Sequence, residues 1–154
     1  MIKLFNIGFT QKNADEFFGI LKKNKIECLV DIRRNPNGQL SRFAFEKDLP
    51  FFLDKLVDGC KYVHRIDLSP TPELLKEIRT KGSAMSKDYR LFEVAFLKQL
   101  KENSNIGNFV QQFGKYNNVV LLCSEATNEK CHRRVVSEKL LSMFKDDIVF
   151  GGNL

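Results

Sequence analysis

Val119–Val136 reads VVLLCSEATNEKCHRRVV, and its first half decides the fold. Val119, Val120, Leu121 and Leu122 form an unbroken apolar run with polar flanks, the pattern of a strand buried on both faces of a parallel sheet. Cys123 closes that strand. Beyond it, Glu125, Cys131, His132 and Arg133 fall within one loop and the first turn of a helix expected from His132 to about Phe144. The order brings an acid, a base, two thiols and a fixed cation toward one small volume.

Working outward, the same alternation of strand and helix recurs along the chain. Ile2, Leu4, Phe5 and Ile7 make a first strand that reaches Gly8, where the backbone can turn tightly or approach a ligand. Asn13 with Glu16 resembles a capping box, so a helix is expected over Ala14–Asn24. A second strand over Ile26–Ile32 follows at once, and strand, helix, strand with short connections predicts a parallel crossover. Its end carries Asp31 and Arg33, which share one face of a strand and can pair there. That pair reads either as part of a ligand site, since open parallel sheets bind ligands at strand ends, or as a structural ion pair fixing the loop.

The loop NPNGQLSRF from Asn35 to Phe43 carries Pro36 and Gly38, with Arg33, Arg34 and Arg42 around it. It can close over an anion or remain a solvated turn. Phe43–Val57 reads as helical with Pro50 starting or kinking a piece, and Phe51, Phe52, Leu53 and Leu56 are expected in the core. A third strand over Lys61–Ile66 carries His64. Helices are expected from Pro72 to about Lys81 and over Tyr89–Leu100, the latter with Leu91, Phe92, Val94, Ala95, Leu97 and Leu100 mainly inward. A short helix around Phe109–Phe113 precedes the Val119 strand, and a last strand spans Asp147–Phe150. The sum is an α/β chain, residues 1–154 forming a single-domain layered sandwich with a mainly parallel sheet of about five strands. Parallel strands would bring Gly8, Asp31, Arg33, His64, Cys123 and Glu125 to one edge.

Composition bounds the function. One domain is expected from 154 residues, with 14 Phe and no Trp to build an aromatic-rich interior. No apolar run approaches the roughly 20 residues that span a bilayer, and MIKLFNIGF turns polar too soon for a signal peptide, so a cytoplasmic protein without membrane contact is expected. Cys28, Cys60, Cys123 and Cys131 are expected as reduced thiols. The net charge of +6 favours an anionic partner, either a small phosphate- or carboxylate-bearing ligand or nucleic acid. No phosphate-binding Gly-rich loop, RNA-binding signature or repeat is present, and no cofactor is implied.

Four uses of the Cys/Glu/His/Arg cluster follow from its chemistry. Glu125 or His132 can move a proton while Arg133 holds an anionic group. Cys123 or Cys131 can act as nucleophile, with His132 or His64 lowering its pKa; His64 with Cys123 is the better pair, because neighbours on one helix point apart. Cys123, Cys131, His132 and His64 offer tetrahedral metal ligands, but Cys-x7-Cys-His matches no short zinc motif, and no metal is expected. As pure structure, Cys123 is a small buried hydrophobe, Glu125 and Arg133 an ion pair, and His132 a helix-start residue.

NIGFT around Gly8, LVDIRRNP at Leu29–Pro36, YVH at Tyr62–His64, DYRLFE at Asp88–Glu93, and LLCSE with CHRR at Leu122–Arg134 together resemble domain-of-unknown-function family 488. The resemblance runs over essentially the whole chain, and its most specific part is Cys-x-Glu followed by Cys-His-Arg. It implies a small cytosolic α/β protein with motif residues Gly8, Asp31, Arg33, His64, Cys123, Glu125, Cys131, His132 and Arg133, and it settles no activity. Phe9-Thr10 and Leu68-Ser69-Pro70 depart from the family's pattern. A weaker similarity links the order of strand, Cys, loop, Arg, helix and a final strand ending in Gly-Gly to rhodanese-like domains. It implies sulfur transfer through Cys123, although the loop before Arg133 contains Glu125 and Glu129 and lacks a glycine.

The expectation is thus a pocket for a small anionic substrate at the carboxyl edge of the sheet, with enzyme activity left open and Cys123, Glu125, His132 and His64 supplying the chemistry if there is any. Gly8, Asp31, Arg33, Cys131 and Arg133 would bind the substrate. Rhodanese-like sulfur transfer and a nucleic-acid-binding module are the alternatives.

Overall fold

The computed structural model describes residues 1–38, 41–80, 85–123 and 131–154, with the side chains of 77–80 and 85–88 left aside. Five strands form one sheet, β1 (Ile2–Gly8), β2 (Cys28–Asp31), β3 (Lys61–His64), β4 (Asn118–Cys123) and β5 (Ile148–Asn153), in the order β3-β2-β4-β1-β5. Every neighbouring pair is parallel. β4 lies at the centre and is buried from Val119 to Cys123, which is why its sequence is continuously apolar rather than alternating.

Helices cover both faces. On one face α1 (Ala14–Lys23) and α2 (Leu49–Leu56) pack over Phe5, Ile7, Leu29, Val120 and Leu122. On the other, α4 (Met85–Asn103), α5 (Phe109–Phe113) and α6 (His132–Met143) cover Leu4, Val30, Leu121 and Ile148, while α3 (Pro72–Thr80) packs beside α4. The alternation of side chains along a strand assigns each residue to its face: Cys28, Val30 and Ile32 point one way, Leu29, Asp31 and Arg33 the other.

α1 begins as the capping box predicts. Asn13 Oδ1 accepts the Glu16 amide at 2.8 Å as the box requires, whereas the return bond comes from the Asn13 side chain, Nδ2 donating to Glu16 Oε1 at 2.8 Å, and not from its backbone N–H. Elsewhere the elements differ from expectation for local reasons. Phe43–Val57 is not one helix but a 3-10 turn at Arg42–Ala44 followed by α2, in which Pro50 sits in the first turn where its missing N–H costs nothing. Two apolar faces were expected too broadly. Phe51 and Leu56 are 60% and 47% exposed, because α2 turns only Leu49 and Leu53 fully inward. In α4, Leu91 and Val94 are 64% and 67% exposed; the buried stripe is Phe92, Phe96 and Leu100, at the i, i+4, i+8 spacing of one helix face.

The topology also sets a switch point in the sheet. From β1 the chain crosses by α1 over one face to β2; from β4 it crosses by α6 over the opposite face to β5. β1 and β4 are adjacent, with Gly8 in register with Cys123. Their carboxyl ends therefore diverge to opposite faces and open a crevice, the switch point at which open α/β sheets bind ligands.

Candidate active site

The carboxyl edge gathers the expected residues in two groups, one on each side of the β2 end. On the α1/α2 side, Asp31 and Arg33 form a bidentate pair: Arg33 Nε donates to Asp31 Oδ1 at 2.8 Å and Nη2 to Oδ2 at 2.7 Å. Both are buried, Asp31 at 0% and Arg33 at 3% exposure, where a charge survives only if paired and hydrogen-bonded. The remaining partners supply that. The Arg33 amide donates to Asp31 Oδ1, Tyr62 Oη donates to Asp31 Oδ2 at 2.6 Å, and Arg33 Nη2 also donates to the Ala44 carbonyl at 2.6 Å. Burial, and then the charge of Asp31, pushes the Tyr62 phenol well up from its ordinary range.

One atom of this network stays unsatisfied. Among the described residues Arg33 Nη1 is buried without a hydrogen-bond partner, a state that costs about 1–3 kcal/mol. The same guanidinium lies 5.4 Å from the centroid of the Phe9 ring. Phe9 follows the end of β1, two strands from β2, so Arg33 reaches past the end of the intervening β4 toward the switch point.

On the α6 side, Cys123 ends β4, Cys131 is the N-cap residue of α6 and His132 opens its first turn. His132 Nδ1 lies 3.6 Å and Nε2 3.8 Å from Cys123 Sγ. Nε2 is also 2.8 Å from the Ile32 carbonyl. A carbonyl only accepts, so Nε2 carries the hydrogen and Nδ1 is the nitrogen left to meet the thiol. Phe96 packs edge-on against the same ring at 6.0 Å between centroids and helps hold its plane. The Sγ atoms of Cys123 and Cys131 and a ring nitrogen of His132 all lie within 4.8 Å of one another.

His64 does not join Cys123. Its Nε2 meets the Arg33 carbonyl at 2.7 Å and its Nδ1 lies 3.5 Å from Glu46 Oε1. The register explains the exchange of partners. His64 sits opposite Asp31, on the α1/α2 side of the sheet, whereas Cys123 falls on the odd-numbered α6 side of β4 with Val119 and Leu121. His132 pairs with Cys123 because α6 starts directly above that face. Gly8 ends β1 beside Cys123, Arg133 is buried in the first turn of α6, and Glu125 lies outside the described residues.

Other basic residues near the edge are committed elsewhere. Arg34 donates to the carbonyls of Pro70 and Ser69, at 3.1 and 3.0 Å, and ties the loop after β2 to that after β3. Arg134 turns away to Glu93 and Glu138.

Three participants were not legible as such. Lys12, in the turn after β1, is held below its ordinary pKa by burial and then by the positive charge of Arg133, which places a further cation at the edge. Its position four residues past Gly8 was the available signal. Tyr62 shares the His64 face two residues earlier, a relation the alternation of β3 contained. Glu46 carried no signal, since only folding brings it to His64.

The family model described as Domain of unknown function DUF488 matches residues 13–140 of the chain. No curated protein and no solved structure matches it.

Proposed function

The chain belongs to the family named Domain of unknown function DUF488, and on that premise we propose that it is an enzyme acting on a small anionic substrate in the crevice between the ends of β1 and β4. The observation that carries this reading is the buried, unpartnered Nη1 of Arg33. Asp31 and Ala44 fix the rest of the guanidinium, so the two N–H groups of Nη1 are preorganised for an acceptor from outside the described residues, and a carboxylate or phosphate suits them. Lys12 and Arg133 add positive potential, the latter at the positive end of α6.

On the opposite, α6 side of the β2 end stands a thiol with its base. With Nε2–H engaged by Ile32, the Nδ1 lone pair of His132 can take the proton of Cys123, leaving a thiolate against an imidazolium. The thiolate is the reactive species that the site offers.

The engagement of five arginines supports this reading over a nucleic-acid-binding module, although Arg42, Arg90 and most lysines are exposed. Arg33, Arg65 and Arg133 are buried, and Arg34 and Arg134 are engaged by carbonyls or carboxylates, whereas a nucleic-acid surface needs its cations on one continuous accessible face. A second reading, sulfur transfer, draws on the place of Cys123 at a strand end in the crevice. There the outer sulfur of thiosulfate would pass to Cys123 with release of sulfite, and on to cyanide as thiocyanate.

The test is a thermal-shift screen of the reduced protein against phosphate, sugar phosphates, nucleotides, small carboxylates, thiosulfate and short oligonucleotides, with Arg33→Lys beside the parent. Ligand binding raises stability by mass action. Stabilisation by a small anion, lost in folded Arg33→Lys, is the expected result, and turnover of that anion then defines the reaction. Stabilisation by oligonucleotides alone, equal in both proteins, overturns it.

A further inference from the structure

Seven residues separate Cys123 from Cys131, a spacing that advertises no metal site. Folding removes the separation, because β4 ends and α6 begins over the same edge of the sheet. From this convergence we infer that Cys123, Cys131 and His132 bind a thiophilic divalent ion of the zinc type, through both sulfurs and Nδ1 of His132.

The geometry is that of a tetrahedral site before the ion enters. Metal–sulfur bonds of about 2.3 Å and metal–nitrogen bonds of about 2.0–2.1 Å put neighbouring donors roughly 3.5–3.8 Å apart. Cys123 Sγ and His132 Nδ1 already stand at 3.6 Å, and the whole trio lies within 4.8 Å. A closure of about 1 Å at the widest pair completes the set.

The surroundings fit as well. A ligating histidine characteristically donates its second ring N–H to a carbonyl or carboxylate, which fixes both tautomer and ring; His132 Nε2 has the Ile32 carbonyl at 2.8 Å. Cys131 occupies the N-cap position of α6, a helix of 12 residues, so this donor is carried at the start of a regular element. Two sulfurs and an imidazole select zinc or cobalt over magnesium or calcium, which require oxygen donors. Among the described residues three donors are found, and a tetrahedral ion held by these three has one further position, as in catalytic zinc sites. Occupation of that position by the substrate anion rests on the proposed anion site, while the metal site does not; with the ion bound, Cys123 and His132 are its ligands, and the thiol–imidazole proton transfer belongs to the metal-free protein.

Cobalt(II) added alone to the reduced protein provides the probe, since tetrahedral thiolate coordination gives thiolate-to-cobalt charge transfer and intense visible bands. The expected result is one ion per chain, displaced by zinc, with the bands lost in Cys123→Ser, Cys131→Ser and His132→Ala and kept in Cys28→Ala and Cys60→Ala. Absence of tetrahedral bands in the folded parent, or their survival in Cys123→Ser or Cys131→Ser, overturns the inference. Where a variant fails to fold, X-ray absorption on the zinc-loaded parent decides: a shell with two sulfurs supports the site and an all-oxygen or all-nitrogen shell refutes it. Arg33→Lys should keep the cobalt bands while losing the response to anions, so failure of one proposal is read separately from failure of the other.

Discussion

His64 and His132 meet the carbonyl oxygens of successive residues, Arg33 and Ile32, through Nε2 at 2.7 and 2.8 Å. Successive carbonyls of a strand point to opposite sides within the sheet, so the two rings approach the β2 end from different directions. This arrangement separates the chain's only two histidines into different environments, one facing Glu46 and the other Cys123.

The first prediction concerns their tautomers. Because a carbonyl cannot donate, both neutral rings carry hydrogen on Nε2. Long-range proton–nitrogen correlation spectra of the metal-free protein at a pH above both titrations should show a protonated Nε2 for each. A protonated Nδ1 on His132 would remove the base proposed for Cys123.

Thiol chemistry should divide the cysteines. Burial pushes Cys28 and Cys60 up to about 12, so at pH 8 their thiolate fractions fall on the order of a thousandfold below that of an ordinary thiol. Alkylation of the native protein, mapped by peptide mass, should leave these two unmodified over times that fully label the unfolded chain. Labelling of either at the unfolded rate would contradict the burial.

Tyr62 gives the protein an alkaline limit. Its folded pKa is raised above the ordinary 10 by burial and then by the Asp31 charge, so the proton is held more tightly in the folded state. The associated stability is fully present below pH 10 and is lost as pH rises from there through the raised folded value. Tyr62→Phe should cost about 1.5–3 kcal/mol at neutral pH, the worth of a hydrogen bond to a charged group. Urea melts should also show a shallower decline above pH 10 in the variant.

Arg65 and Asp67 tie the segment after β3 to the start of α5. Arg65 donates to both Asp67 oxygens, at 2.7 and 2.8 Å, and to Gln112 Oε1 at 2.7 Å, while the Asn105 amide donates to Asp67 Oδ2 at 3.0 Å. Burial alone would raise the Asp67 pKa, but these bonds outweigh it and leave the carboxyl below its ordinary 3.8. Stability from this group is therefore complete above pH 3.8 and fades as pH falls through the depressed value. Asp67→Ala should fall toward the low end of ~3–5 kcal/mol, since the carboxylate keeps some solvent contact. Its acid unfolding should be correspondingly less steep.

Gly151 is set by close approach. A Cβ there would stand 2.5 Å from Cε1 of the buried Phe5 ring, at the point where the β1–β5 register shifts. Gly151→Ala should destabilise by about 1–3 kcal/mol, the usual cost of overpacking, and a paired Phe5→Leu substitution should recover part of it. An unchanged denaturation midpoint for Gly151→Ala would show that β5 can withdraw.

Alternating patterns made the fold legible. The unbroken run Val119–Leu122 announced a central parallel strand, Asn13 and Glu16 announced the start of α1, and the shared face of Asp31 and Arg33 announced their pairing. The same patterns overreached on Phe51, Leu56, Leu91 and Val94, because apolar character alone does not say how wide a strip of helix the sheet can cover.

The sequence by itself determined the α/β class, the parallel strands and the carboxyl edge at which reactive residues gather, since these follow from periodicity and local chain stiffness. Tertiary structure alone decided who meets whom at that edge. Strand order brought β4 between β1 and β2, strand parity sent His64 to Glu46 and His132 to Cys123, and the start of α6 over the end of β4 set Cys131 beside Cys123. Those contacts join residues distant along the chain, and no local pattern specifies them, because they depend on which face each strand and helix presents after packing.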